Sequence, residues 1–139
     1  MSDEQRVREA NERFYAAMTA LDIDEMDEVW MKNEAAVCVH PGREAINGYE
    51  HIRQSWIAIF SAPNPMSIAA SNEHVSVIGD VAWIVCSETI SMMTDEGLAA
   101  AAAQATNIFQ RVANDWRMIL HHASPIPFTT PDEWPDVIN

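Results

Sequence analysis

"SIAASNEHVSVIGDVAWIVCSETISMM", Ser67 to Met93, sets the rhythm from which the fold can be read. On either side of Gly79-Asp80 apolar and polar residues alternate with a period of two, which puts successive side chains on opposite faces of a strand. Gly-Asp between two such runs is a turn signal, so the stretch reads as a β-hairpin. A second pair follows: "QATNIFQRV" (104–112) and "WRMILHHAS" (116–124), joined through Ala113-Asn114-Asp115. Upstream, "AAVCVH" (35–40) adds another apolar run, for five or six strands in all. "GLAAAAAQ" (97–104) has helical composition but lies between strands, and is assigned to a loop or the frayed start of a strand.

Before residue 66 the period is helical. Val7, Ala10, Phe14, Ala17, Met18 and Leu21 share one face of a first helix, and Ser2 with Gln5 has capping-box spacing at its start. Asp22 with Glu25 caps a short second helix that gathers Ile23, Met26, Val29 and Trp30. A third helix is expected from Asn47-Gly48, with Glu50 at the reciprocal capping position. It buries Ile52, Trp56, Ile59 and Phe60 and stops at "SAPNP" (61–65). Helix, helix, strand, helix and four antiparallel strands make an α+β layout: a curved antiparallel sheet wrapped around three N-terminal helices, leaving a cone-shaped pocket.

The 139 residues fit a single domain (1–139) with its core at about 5–125. The segment 126–139 belongs to a Pro-rich tail, "PIPFTTPDEWPDVIN" from Pro125, expected to be extended and pinned by Phe128 and Trp134. Eight Lys+Arg against 21 Asp+Glu leave a net charge of −13, which repels phosphate backbones and anionic lipid, so neither nucleic acid nor membrane is expected as a partner. Cys38 and Cys86, each inside an apolar run, read as reduced core residues of a cytoplasmic protein. The charged N-terminus shows no apolar signal-peptide core.

The helix "RFYAAMTALDIDEMDEVW" (13–30), the strand end "VCVHPG" (37–42), Gly48-x-x-x-Ile52-x-x-Ser55-Trp56, "GDVAWIVCSE" (79–88) and the closing "ATNIFQR" and "WRMILHHAS" together resemble the SnoaL-like branch of the nuclear transport factor 2-like superfamily, over roughly residues 5 to 125. That superfamily places many activities, and non-catalytic assembly modules, on one cone-shaped fold. In its ketosteroid isomerase members a general-base aspartate stands just before a proline at the end of the first strand; here the position is His40, before Pro41. A histidine suits proton transfer near neutrality. The resemblance puts the family's oxyanion tyrosine at Phe14, with Tyr15 one residue (about 100°) round the helix and facing elsewhere. It puts the oxyanion aspartate at Asn107, whose amide can still donate to a carbonyl oxygen.

Strand parity then sorts the remaining candidates. Phe109 shares the face of Asn107. On the last strand Trp116, Met118, Leu120, His122 and Ser124 form the more apolar set, so His122 is expected inward and His121 outward. Glu88 shares a face with Ala82, Ile84 and Cys86, and parity alone does not fix its direction. Adjacent strand histidines diverge and no tight ligand spacing occurs, so no metal and no cofactor are expected. The candidate site is thus His40 and Asn107 as catalytic groups, with Phe14, Met18, Trp30, Trp56, Phe60, Glu88, Phe109 and His122 around a small apolar or carbonyl-containing molecule. Two functions fit: a cofactor-independent isomerase, cyclase or dehydratase, or a non-catalytic ligand-binding or oligomerisation domain. Ile108 and Gln110, with Arg117, Ile119 and His121, are expected to form a homodimer contact on the convex sheet face.

Overall fold

The computed structural model describes residues 1–63 and 66–127; the expected contacts of Phe128 and Trp134 lie outside them. Helix α1 (Asp3–Ala20) starts at a complete Ser2/Gln5 capping box and ends on Leu21 in the left-handed region. Helix α2 (Ile23–Val29) is capped by the Asp22 side chain, which accepts from the backbone of Asp24 and Glu25. Strands β1 (Val37–Val39) and β2 (Ile46–Asn47) precede α3 (Tyr49–Phe60). Four long strands follow: β3 (Met66–Ile78), β4 (Val81–Thr94), β5 (Gly97–Val112) and β6 (Asp115–Ile126). They form one sheet in the order β2-β1-β6-β5-β4-β3, antiparallel throughout except where β1 runs parallel to β6. No described helix is long and apolar enough to cross a membrane.

The hairpin at Gly79, whose φ of 60° suits a tight turn, forms where the alternation predicts it. Of the two readings of the alanine run, the start of a strand holds and the loop does not, and the strand is not frayed. Ala99 to Ala103 pair fully with Met92 to Glu88 of β4, because a strand already templated by its neighbours overrides the helical preference of alanine. The α3 cap also differs from expectation. Asn47 is used in the β1–β2 ladder opposite Val37, and Gly48 becomes the N-cap with no side-chain bond. At its φ of 84° a Cβ would come within 3.0 Å of the Glu34 carboxylate, so the entry to α3 suits glycine.

Two irregularities bend the sheet. In β3 the register slips between Ser71 and His74, with Asn72 at a φ of 54°. In β6 it slips across Ile119: Ile108 pairs with Leu120, but Phe109 pairs with Met118. An extra residue of this kind twists a strand and reverses the parity beyond it. Trp116 and Met118 point inward, and so do His121 and Ala123. The expectation of His122 inward and His121 outward is thereby corrected: His122 is exposed and His121 buried.

The concave face closes on α1, which buries Val7, Ala10, Asn11, Phe14, Tyr15, Ala17 and Met18. This arc is wider than the usual stripe because a curved sheet embraces the helix from both flanks. Tyr15 accordingly turns toward β4 rather than away from the interior. Phe14 packs toward Trp30, Trp56 and His121 at ring separations of 6.3, 5.7 and 4.8 Å.

Candidate functional site

Where β1 ends, His40-Pro41-Gly42-Arg43 makes a tight turn closed by the Arg43 N–H donating to the His40 carbonyl at 3.0 Å. Proline second and a glycine of φ 75° third are the residues such a turn requires. The turn fixes His40 and Arg43 side by side. His40 is 4% exposed, and its ring stands edge-on to Trp56 at 4.7 Å.

Its protonation follows from its neighbour. Ser55 on α3 donates its only hydroxyl hydrogen to the Ile52 carbonyl at 2.6 Å, so toward His40 Nε2, 2.9 Å away, Ser55 Oγ must accept. His40 therefore carries its hydrogen on Nε2 and leaves Nδ1 as its basic atom. Burial, with the nearby Arg43 charge, lowers its pKa to about 4, so the ring is neutral at pH 7.

His121 is the mirror case. Asn107 spends both amide hydrogens, on Asn11 Oδ1 at 2.8 Å and on the Tyr15 oxygen at 3.1 Å. Asn107 Oδ1 must then accept from His121 Nδ1 at 2.6 Å. The hydrogen of His121 sits on Nδ1, and its Nε2 is bare. Burial first, then the neighbouring His40 and His122, lower its pKa to about 3. From Tyr15 the chain of bonds continues: its hydroxyl donates to Glu88 Oε2 at 2.7 Å and lies 3.3 Å from Cys86 Sγ. Glu88 is 2% exposed and pairs with no cation among the described residues. Its burial pushes the carboxyl pKa up, against the opposing pull of the Tyr15 bond.

His40, His121 and Glu88 meet at one pocket of about 270 Å³. Met18, Trp56, Ile59, Met66, Ile68 and Ile90 supply apolar walls, and Pro41 and Arg43 complete the lining. Of the residues expected around a ligand, Met18, Trp56 and Glu88 line it with His40. Phe14, Trp30 and Phe109 are buried in the core instead, Phe60 stacks behind Trp56 at 5.8 Å, and His122 is on the outside. Asn107, expected to polarise a carbonyl, has both hydrogens engaged and holds His121 and Tyr15 in place. Tyr15, expected to face elsewhere, joins Asn107 to Glu88.

Sequence reasoning missed Asn11, Ser55, Arg43 and the inward His121. Asn11 lies one turn before Tyr15 on α1, a polar residue in an apolar arc, which was the available signal. A larger hollow of about 420 Å³ opens beside Asp27, Lys32 and Tyr49. There the Tyr49 hydroxyl and the Arg53 guanidinium both bind Asp27, so these three polar groups already satisfy one another.

The model of the SnoaL-like domain matches residues 7–129, and the chain belongs to that family. A Streptomyces avermitilis protein of the NTF2-like family, described as a candidate dehydratase, superposes with a TM-score of 0.83 at 30% identity, covering 90% of this chain and 96% of that one. A candidate calcium/calmodulin-dependent protein kinase type II association domain from Thiobacillus denitrificans superposes with a TM-score of 0.72 at 32% identity, covering 85% and 93%. The F-box protein SKIP8 of Arabidopsis thaliana is 22% identical over 114 residues, 82% of this chain. The chain spans about half the length of that curated relative, 47%.

Proposed function

We propose that this SnoaL-like chain is a cofactor-free enzyme that moves protons on a small, largely apolar carbonyl compound, by elimination of water or by isomerisation. The observation that carries the reading is the complementary proton status of three groups at one pocket: His40 with an unprotonated Nδ1 that among the described residues meets only the Cys38 thiol at 4.0 Å, His121 with a bare Nε2, and Glu88, a buried carboxyl whose burial favours the acid form. His40 Nδ1 takes the proton from the carbon next to the carbonyl, and Glu88 gives its proton to the departing hydroxyl. The C–H and C–O bonds break, a C=C bond forms and water leaves. In the isomerisation variant the proton on His40 returns to the γ-carbon. The 30% identity to a candidate dehydratase supports the same reaction class.

The test is hydrogen–deuterium exchange in D2O, followed by NMR, on a panel of β-hydroxy and β,γ-unsaturated ketones. The protein is expected to accelerate exchange at the α-carbon, and His40→Gln to lower that rate by at least about 100-fold. Exchange no faster than with denatured protein, or unchanged in the variant, overturns the reading.

Self-association belongs to the same proposal, since the 32% identical neighbour is named as an association domain. Across the convex face Trp83, Ile108, Leu120 and Val37 pair laterally into one half-buried apolar row. Leu120 takes the place expected for His121. A homodimer through this row predicts twice the 15.6 kDa chain mass by light scattering at micromolar concentration, and a monomer for Leu120→Glu. Two buried, unpaired thiols support placing the protein in a reducing compartment such as the cytoplasm.

A further inference from the structure

We propose that the ligand of this pocket is a small carboxylate with an aliphatic chain, its charge held by Arg43 and its chain laid along the hollow that adjoins the pocket beside α3. The inference rests on the reading of the pocket as a small-molecule site and adds the chemical class.

Charge comes first. In a chain with 21 acidic and eight basic residues, most arginines are claimed. Arg6 and Arg111 pair with Asp3, Arg8 with Glu4 and Glu73, Arg53 with Asp27, and Arg117 with Glu28 and Asp115. Among the described residues Arg13, Lys32 and Arg43 have no such partner, and of these only Arg43 lines the pocket. The other titratable groups there are His40 and His121, both neutral, and Glu88, buried without a cation to stabilise its charged form. Among the described lining residues Arg43 is the one whose charge its chemistry fixes, in a protein whose overall field is negative. An exposed guanidinium left unpaired under those conditions selects for an anion that arrives with the ligand, and its planar fork fits a carboxylate.

Shape supplies the rest. A second hollow, also about 270 Å³, is lined by Arg43, Ala58, Ile59, Ala62, Met66 and Met92. It shares Arg43, Ile59 and Met66 with the first pocket, so the two meet at the arginine. Apart from Arg43, every side chain along it among the described residues is apolar. Met66 and Met92 face each other across the β3–β4 ladder, and unbranched thioethers of this kind adapt to flexible chains. The turn bond to His40 holds the Arg43 backbone at this junction.

The experiment is calorimetric titration of the whole chain with octanoate, octanamide and butyrate. Octanoate is expected to bind at least about tenfold more tightly than octanamide, and Arg43→Gln to weaken octanoate at least about tenfold and bring the two affinities together. Ala58→Trp, an exposed helix position, is expected to weaken octanoate while leaving butyrate unchanged, with circular dichroism confirming both variants folded. Octanamide binding as tightly as octanoate on the unaltered protein, or full octanoate affinity in Arg43→Gln, overturns the proposal. Octanoate carries no leaving group, so its binding is read without turnover. Silence in the exchange assay would remove the catalytic reading and leave this one standing, and loss of carboxylate discrimination would do the reverse.

Discussion

The interior under α1 and the rim at the end of β1 both hold a buried histidine on Trp56, at 6.4 Å for His121 and 4.7 Å for His40, yet they are built on opposite principles. Under α1, Asn11, Asn107, His121, Tyr15 and Glu88 form a continuous hydrogen-bonded chain in which the Asn107, His121 Nδ1 and Tyr15 donors all have acceptors and the Asn11 amide nitrogen alone lacks one among the described residues. At the rim His40 has one short polar bond, to Ser55, and beyond it only the weak thiol of Cys38 at 3.8 and 4.0 Å from its ring nitrogens, and Arg43 has no carboxylate partner among the described residues. A satisfied network fixes geometry, whereas an unsatisfied one has capacity left for a ligand. The pocket draws its positioning from the first region and its reactivity from the second.

Three measurements set that contrast at risk, the largest expected effect first. Asn107→Leu strips a buried partner from Asn11, Tyr15 and His121 at once, and is expected to cost about 3 kcal/mol in urea unfolding. A loss below about 1 kcal/mol would mean that the interior is no more committed than the rim. The second is pH dependence. His40 and His121 are lowered to about 4 and about 3 in the folded chain, against about 6.5 unfolded. Between those values the unfolded chain binds protons that the folded chain does not. Stability is thus full above about pH 6.5 and falls as the pH drops toward 4, by at most about 1.4 kcal/mol per unit for each histidine. Glu88, raised by burial, acts in the opposite sense: its contribution weakens as the pH rises above its ordinary value, so it offsets part of the slope. His40→Gln should remove one histidine's share, and a histidine ring that titrates near 6.5 by NMR would contradict its burial. The smallest effect is expected for Ser55→Ala, about 1 kcal/mol, because a half-buried hydroxyl loses its two bonds, to the Ile52 carbonyl and to His40 Nε2, where Asn107→Leu strips fully buried partners. Its sharper readout is nitrogen NMR, in which the His40 hydrogen should no longer be confined to Nε2.

The sequence made the frame legible wherever the deciding physics is local. Alternation around Gly79-Asp80, the Ser2/Gln5 capping box and the Asp22 cap depend on neighbours a few residues away, and each takes the form its spacing predicts. His40 at a strand end beside a helix bearing Trp56 was legible for the same reason. The alanine run from Ala99 to Ala103 was not, because its strand conformation is imposed by hydrogen bonds to β4.

The chain by itself determined the order of elements, the acidic character and the presence of a histidine before Pro41. Only the tertiary structure decided which polar groups meet. One extra residue at Ile119 reversed the parity of β6 and exchanged His121 for His122, and a curved sheet wide enough to embrace α1 brought Tyr15 onto Glu88. Both outcomes depend on long-range pairing, in which a single-residue shift of register moves every later side chain to the other face.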